Sequence, residues 1–307
     1  MKKRFENISF RQADLVISIL PHVLKDNSFA LHGGTAINFF IRDLPRISVD
    51  IDLIYLKILP REKTLENISN ELNKIFEKLN SVIPGVEIKK KKYGDNLVSK
   101  LFVKRKNAMV KIEPNLIIRG NIYEAEERDI SNRAEEIFEK FVTVKTLSFA
   151  ELYGSKICAA LDRQHPRDLF DIKLLLENEG ISEKMRKAFL VYLISSNRPM
   201  SELLSPNYLD IKPAFEKEFT GMTLKEEKLE DLIKTREKLV KSINKLLTYE
   251  ERKFLLSFNK GKPKWDLLDI EGAKKLPAVR WKLLNINKMD SDKHEEVYDK
   301  LKKVLNI

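Results

Sequence analysis

The sequence has few of the residues that build crosslinked or membrane-spanning proteins. Cys158 is the only cysteine, so the chain can form no internal disulfide and offers no cysteine–histidine zinc spacing. It contains no run of about 18 apolar residues that could span a bilayer. Met1-Lys2-Lys3 is followed by polar residues, which is not the pattern of a secretory signal. We therefore expect a soluble cytoplasmic protein with no membrane partner.

Acidic residues are too few to balance the basic ones. The 307 residues include 57 Lys+Arg and 46 Asp+Glu, which gives a formal net charge of +11. Such a balance favours a polyanionic partner or substrate, such as RNA, DNA or nucleotides. A lysine-rich proteome is an equally simple explanation, because lysine, isoleucine and asparagine are abundant along the whole chain. Charge alone therefore does not decide the function.

The hydrophobic pattern predicts a mixed α/β (α+β) chain with two domains. Residues 1–180 combine strands with helices and include an antiparallel meander over 86–118. From about residue 148 onward the pattern is mostly helical. Residues 181–307 form the predicted second domain, which is basic and mainly helical. Its segment "TYEERKFLLSFNKG" predicts a helix with Thr248 and Glu251 spaced as a capping box.

Two aspartates one residue apart are the most informative feature. The segment "SVDIDLIYL" alternates and predicts a strand. Residues i and i+2 of a strand share a face, so Asp50 and Asp52 project side by side. Two ionised carboxylates at that spacing repel each other unless a cation neutralises them, and hard oxygen ligands suit Mg²⁺ or Mn²⁺. A polar strand end without a metal is the simpler alternative.

A two-metal site also needs a third carboxylate, normally from a neighbouring strand. Glu113 is the natural candidate, because it is the only acid in the apolar run "MVKIEPNLI" and it alternates with Lys111. The alternative is that Glu113 pairs with Lys111 or with another strand.

A Gly-Gly turn precedes the aspartates. The short strand "SFALH" leads into Gly33 and Gly34, which permit a sharp turn and a close approach of the backbone to a ligand. The segment "TAINFFIRD" has helical spacing and opens at Thr35, where free N–H groups favour phosphate. Arg46 is a further candidate phosphate contact, with an exposed loop residue as the alternative. These features together predict a triphosphate site beside the metal ligands, and nucleotidyl transfer requires both sites.

Four motifs in order carry a resemblance to a known family. They are "HGGTAINFF", "RISVDIDLIYL", "VKIEPNLI" and "ELYGSKICAALDRQHPRDLFDIKLLL". Together they resemble the AbiEii/AbiGii toxins, abortive-infection nucleotidyltransferases of the polymerase-β-like superfamily that include the MenT toxins. The resemblance covers roughly residues 28–180. It implies a polymerase-β-like core with a mixed sheet, followed by a helical C-terminal domain, and it implies the toxin half of a type IV toxin–antitoxin pair with a cognate antitoxin.

The resemblance also implies roles for the matching residues. Asp50, Asp52 and Glu113 would bind two Mg²⁺ (or Mn²⁺) ions, and Glu113 is also a candidate base for the acceptor hydroxyl. Nucleotide phosphates would contact Gly33, Gly34, Thr35, Arg46 and Lys156.

The last acidic motif, "RDLFD", contains Asp168 and Asp171. The resemblance implies that at least one of them is needed for activity, either to position Lys156 or to act as a base. A structural salt-bridge cluster with Arg163 and Arg167 is the alternative, because these residues are close enough along the helix to pair.

The reaction that follows is attack of an acceptor on the α-phosphate of an NTP, with pyrophosphate as the leaving group. The basic charge and the resemblance favour RNA, and the 3′ end of tRNA in particular, as acceptor. Two alternatives remain. The first is transfer to a protein hydroxyl or a small molecule, and the second is a non-catalytic nucleotide- or RNA-binding module.

Lys89–Lys92 is a candidate RNA contact, with Tyr93 and Phe102 nearby. The alternative is a solvated strand edge, because a lysine run there also resists aggregation.

Overall fold

The computed structural model describes residues 8–94 and 96–307. Residues 1–7, on which the expectation about a leader rests, and Asp95, in a predicted turn of the meander, lie outside the described residues.

The chain divides into two compact units. The first contains the chain up to Ser148 together with Gly221–Lys225, and the second contains Phe149–Thr220 and Glu226–Ile307. The sequence suggested a catalytic domain of residues 1–180. That functional division stays a prediction, because compactness reports packing within a unit and not which residues act together.

Seven strands and four helices form the first unit within the described residues. The helices are α1 (Ile8–Val23), α2 (Gly33–Ala36, continued by a π-helical turn over Ile37–Ile41), α3 (Arg61–Val82) and α4 (Asn132–Phe138). The strands are β1 (Phe29–His32), β2 (Asp50–Tyr55), β3 (Val86–Tyr93), β4 (Leu97–Arg105), β5 (Ala108–Pro114), β6 (Glu126–Asp129) and β7 (Thr143–Thr146).

The strands make one mixed sheet, which confirms the predicted α/β class. Their order is β3-β4-β5-β2-β1-β7-β6. Strand β2 is parallel to β5 and antiparallel to β1, whereas β3, β4 and β5 form the predicted antiparallel meander. The meander ends at Pro114 rather than near residue 118, because proline has no N–H to continue a ladder.

The two faces of the sheet differ in burial. Leu101, Val103, Val110, Ile112 and Ile51 are at most 1% exposed, and α1 and α3 pack against the strands that carry them. The residues that alternate with them, Asp50, Asp52, Lys100, Phe102, Lys111 and Glu113, are half-buried. One face of β2, β4 and β5 is therefore the core of the unit, and the other is available for function.

The second unit is helical. Its α-helices are α5 (Phe149–Arg163), α6 (Pro166–Asn178), α7 (Glu183–Ser195), α8 (Met200–Leu204), α9 (Lys212–Ala214, continued by a π-helical turn over Phe215–Phe219), α10 (Leu229–Leu246), α11 (Tyr249–Asn259), α12 (Pro277–Asn287) and α13 (Ser291–Leu305). Short 3-10 turns occur at Trp265–Leu267 and Ala273–Lys275. The predicted capping box at Thr248 and Glu251 is confirmed.

Helices α5 and α7 approach each other closely at Gly154. A Cβ at this position would lie 2.6 Å from Ala188 Cβ and 2.8 Å from the Phe189 backbone nitrogen. Any larger residue would clash at this position, so the contact between α5 and α7 requires glycine.

Among the helices of the described chain, none combines the length and the apolar character that crossing a bilayer requires.

Candidate active site

Asp50 and Asp52 lie on the accessible face of β2, as the alternating pattern predicted. Both are half-buried, while Ile51 and Leu53 between and after them are buried. In the parallel pairing with β5, Asp50 is opposite Lys111 and Asp52 is opposite Glu113. Residues opposite each other in a sheet point to the same face, so the three carboxylates and Lys111 lie together.

Glu113 is bound by two lysines. Lys100 forms an ion pair with it, and Lys111 Nζ lies 2.6 Å from Glu113 Oε2. Burial alone would raise the pKa of Glu113, but these two ammonium groups outweigh burial and lower it. The alternative considered from the sequence, a pair with Lys111, is therefore present in the structure.

Lys111 also balances the charge of the two aspartates. Burial alone would lower its pKa, but its hydrogen bond to Glu113 and the charges of Asp50 and Asp52 outweigh burial, so the pKa is raised. A raised pKa keeps the ammonium protonated at neutral pH. The sequence reasoning did not assign Lys100 or Lys111 to the site, since their positions depend on the pairing of β4, β5 and β2.

The carboxylates fit a divalent metal in donor type and placement on one face, although they do not form a closed ligand set. Among the residues that the structure describes, no group of three or more His, Cys, Asp or Glu side chains is arranged to hold a metal ion. Asp50 and Asp52 are the residues that could hold one, since they are adjacent on one face and half-exposed. Glu113 could become a third ligand if a metal ion replaced its contacts with Lys100 and Lys111.

The Gly-Gly turn makes room for two side chains of the site. Gly33 has φ +73°, and a Cβ there would lie 2.6 Å from Asp52 Oδ2. A Cβ at Gly34 would lie 2.8 Å from Arg46 Nη2 and 3.0 Å from Ser48 Oγ. Both glycines are therefore needed for the positions of the Asp52 carboxylate and the Arg46 guanidinium. The helix after the turn begins at Gly33 instead of Thr35, because the Ile37 backbone N–H donates to the Gly33 and Gly34 carbonyls.

Thr35 and Arg46 are both buried in the structure. Thr35 is 1% exposed, and its hydroxyl contacts Ser48 Oγ at 3.0 Å and the backbone carbonyl of Asp50. Arg46 is 3% exposed and donates to the Ile47 carbonyl at 3.0 Å. The exposed-loop alternative for Arg46 is therefore wrong. Thr35 ties α2 to the strand that carries the aspartates, which the sequence spacing did not reveal.

The second unit contains a buried cluster of charges. Lys156 Nζ lies 2.8 Å from Asp168 Oδ1 and 3.2 Å from Asp171 Oδ2. Arg163 also binds Asp168, with its Nε 2.5 Å from Oδ2. Burial alone would raise the pKa of Asp168, but the Lys156 and Arg163 charges hold it well below its ordinary range. The salt-bridge alternative is therefore present for Arg163, whereas Arg167 lies 3.7 Å from Glu218.

His165 fixes the start of α6, where Asp168 lies. Its Nδ1 accepts a hydrogen bond from the Arg167 backbone N–H at 3.1 Å, and its Nε2 donates to Glu218 at 3.1 Å. Burial lowers the pKa of His165 and outweighs the opposing effect of Glu218. A neutral imidazole with its proton on Nε2 satisfies both contacts. His165 itself is half-buried, whereas Gln164 before it is buried and has φ +50°.

Comparison with known proteins identifies the family. The family described as "Nucleotidyl transferase AbiEii toxin, Type IV TA system" matches residues 14–281. The chain belongs to the AbiEii toxin family. This AbiEii protein is accordingly a nucleotidyltransferase, the toxin of a type IV toxin–antitoxin system, and the family implies an NTP substrate and a cognate antitoxin.

A solved structure supports the fold over the whole length of the AbiEii chain. The structure is MenT4, the nucleotidyltransferase toxin Rv2826c from Mycobacterium tuberculosis H37Rv. It has a TM-score of 0.56 and 14% identity, with 99% of this chain and 97% of that chain covered. At this identity the likeness establishes the fold alone. The curated proteins include no significant match.

Proposed function

We propose that this AbiEii toxin transfers a nucleoside monophosphate from an NTP to RNA, with the 3′ end of tRNA as acceptor and pyrophosphate as the leaving group. The toxin acts in the cytoplasm, where both substrates occur. The observation that carries the proposal is the placement of Asp50 and Asp52 on one face of β2, with Glu113 beside Asp52. The net charge of +11 supports a polyanionic acceptor.

Asp50 and Asp52, with Glu113 as third ligand, would hold two Mg²⁺ ions. Such ions neutralise phosphoryl charge and activate the attacking and leaving oxygens in nucleotidyl transfer. Lys100 and Lys111 balance the acidic charges before the ligands are assembled. The Gly33-Gly34 turn and Arg46 would contact the phosphates, and Thr35 would keep Asp50 in place through its backbone carbonyl.

Lys156 would neutralise triphosphate charge, the role that the family resemblance implies. Its two contacts with Asp168 and Asp171 favour a positioning role for these acids. A carboxylate whose pKa is held low is a weak base at neutral pH, so Asp168 is better suited to orient Lys156 than to accept a proton.

A labelling experiment separates RNA from the other acceptors. The purified toxin is incubated with Mg²⁺, total tRNA and each α-³²P-labelled NTP in turn, and the reaction is repeated in a whole lysate. We expect label on tRNA with the wild type and none with Asp50→Asn. The matched control is Asp129→Asn, which removes an exposed aspartate from β6 in the same sheet and should label tRNA normally.

Three other results would contradict the proposal in different ways. Label on protein would indicate transfer to a side-chain hydroxyl, and label on small molecules would indicate a different substrate class. No label in any fraction would leave a module that binds nucleotides without catalysis.

A further inference from the structure

Two lysines of β3, which the sequence marked as candidate RNA contacts, align with the candidate active site across the sheet. Lys89 of β3 is opposite Phe102 of β4, and Phe102 is opposite Lys111 of β5, which is opposite Asp50. These residues form one row that crosses the accessible face from the sheet edge to the carboxylates. We call the part of it on β3 and β4, together with its neighbours Lys91 and Lys100, the meander face.

A second row runs beside the first. Lys91 is opposite Lys100, Lys100 is paired with Glu113, and Glu113 is opposite Asp52. Neighbouring strands are about 4.8 Å apart, so three strand spacings place the two edge lysines about 14 Å from the aspartates. The rows therefore connect the edge of the sheet with the predicted metal ligands.

The meander face is accessible and basic, with an aromatic ring at its centre. Lys89 and Lys91 are exposed, and Phe102 is half-buried. Within the described residues, no ion pair involves Lys89 or Lys91, whereas Lys100 is balanced by Glu113. An accessible ring flanked by lysines is the pattern on which single-stranded nucleic acids bind, through base stacking and phosphate contacts.

We propose that the meander face is the docking surface for the single-stranded end of the acceptor RNA, with a base stacked on Phe102 and phosphates bound by Lys89 and Lys91. The inference rests on the proposed function, because it needs an RNA acceptor. Single-stranded RNA is favoured over duplex RNA, since a duplex does not expose a base face to Phe102.

The charge part of the proposal is tested with a short fluorescein-labelled single-stranded RNA. The variant Lys89→Gln/Lys91→Gln should weaken binding about tenfold and reduce the slope of log K against log salt by about 1.4, which is about 0.7 for each phosphate contact on a single strand. The matched control is Lys90→Gln/Lys78→Gln. Lys90 lies over the Phe76 ring and Lys78 is exposed on α3, so the control removes equal charge from elsewhere in the unit.

The stacking part is tested at Phe102. Phe102→Leu keeps an apolar side chain in the strand but removes the ring, and it should weaken RNA binding about tenfold, a loss of about 1.4 kcal/mol. Phe102→Tyr keeps the ring and should bind like the wild type. Both variants should show the thermal shift with NTP that the wild type shows, which separates RNA docking from damage to the fold.

The outcomes separate this proposal from the proposed function. A wild type that binds and labels no RNA would overturn both. RNA labelling by a wild type whose affinity and salt slope match those of the Lys89/Lys91 variant would overturn the docking surface alone. Equal losses in the control pair, or unchanged binding in Phe102→Leu, would also overturn it.

Discussion

The Lys156 ammonium nitrogen lies 2.8 Å from Asp168 Oδ1, and the two side chains are only 6% and 1% exposed. Asp171, which is fully buried, lies 3.2 Å from the same nitrogen. A buried lysine between two buried carboxylates is costly to assemble and costly to break. The contact therefore links the stability of the helical unit to a residue for which the family resemblance implies a role in catalysis.

Lys156→Met should destabilise the protein strongly. Removal of the ammonium leaves Asp171 without this buried partner and leaves Asp168 with Arg163, so we expect a loss of about 3–5 kcal/mol. Urea unfolding followed by circular dichroism measures the change. Lys300→Met, which removes an exposed lysine paired with Glu296, is the control and should leave the midpoint in place. Equal midpoints for all three proteins would contradict the role of the buried cluster.

The same cluster predicts an acid dependence of stability. The pKa of Asp168 is lower in the folded protein than its ordinary value, so the ionised form favours folding. This contribution is present above the unfolded-state pKa of about 3.9 and is lost as the pH falls below that value toward the folded-state pKa. Asp168→Asn should therefore lower stability at pH 7 and show a flatter loss of stability in acid. Parallel acid profiles for variant and wild type would argue against it.

Gly33→Ala should damage the active site more than the fold. Alanine at φ +73° costs about 1–2 kcal/mol wherever it occurs, but here its Cβ would also displace the Asp52 carboxylate. Gly85→Ala is the matched control, because Gly85 has φ +71° with nothing within 4 Å of the added Cβ. Thermal unfolding should show similar losses for both, whereas labelling of tRNA should fall at least tenfold only for Gly33→Ala. Similar activity in the two variants would show that the Gly33–Asp52 contact is unimportant.

Thr35→Val should lower the rate of transfer. The substitution removes the hydroxyl that contacts the Asp50 carbonyl and Ser48 Oγ, which should cost about 1–3 kcal/mol of stability. Displacement of the Asp50 carboxylate should reduce kcat about 10- to 100-fold with a smaller change in the KM for NTP. Thr35→Ser retains the hydroxyl and should recover most of the rate. A rise in KM alone would instead indicate a direct phosphate contact.

The local pattern was sufficient to predict β2, because the alternation of aliphatic and acidic residues from Val49 to Leu53 is typical of a strand with one buried face. The meander and the capping box at Thr248 were also predicted from local patterns. Strands β6 and β7 were missed. Their sequences, "EERD" and "TVKT", are four residues long and contain too few apolar residues to show a period.

The partners of the site residues depend on pairing between distant segments. Nothing local indicates that Lys100 would reach Glu113, or that Thr35 would bind the backbone of Asp50. Arg167 was considered as a salt-bridge partner of Asp168 or Asp171, but its guanidinium lies 3.7 Å from Glu218, which is distant in sequence. The sequence thus predicted the carboxylates of the site better than the groups that hold them in place.

The most direct test of the central claim is the rate of nucleotide transfer to tRNA as a function of Mg²⁺ concentration. We expect saturable dependence on Mg²⁺ for the wild type and a rate at least about 100-fold lower for Asp52→Asn at saturating Mg²⁺. Transfer by the wild type that persists with all divalent ions chelated, or a wild-type rate in Asp52→Asn, would contradict the account.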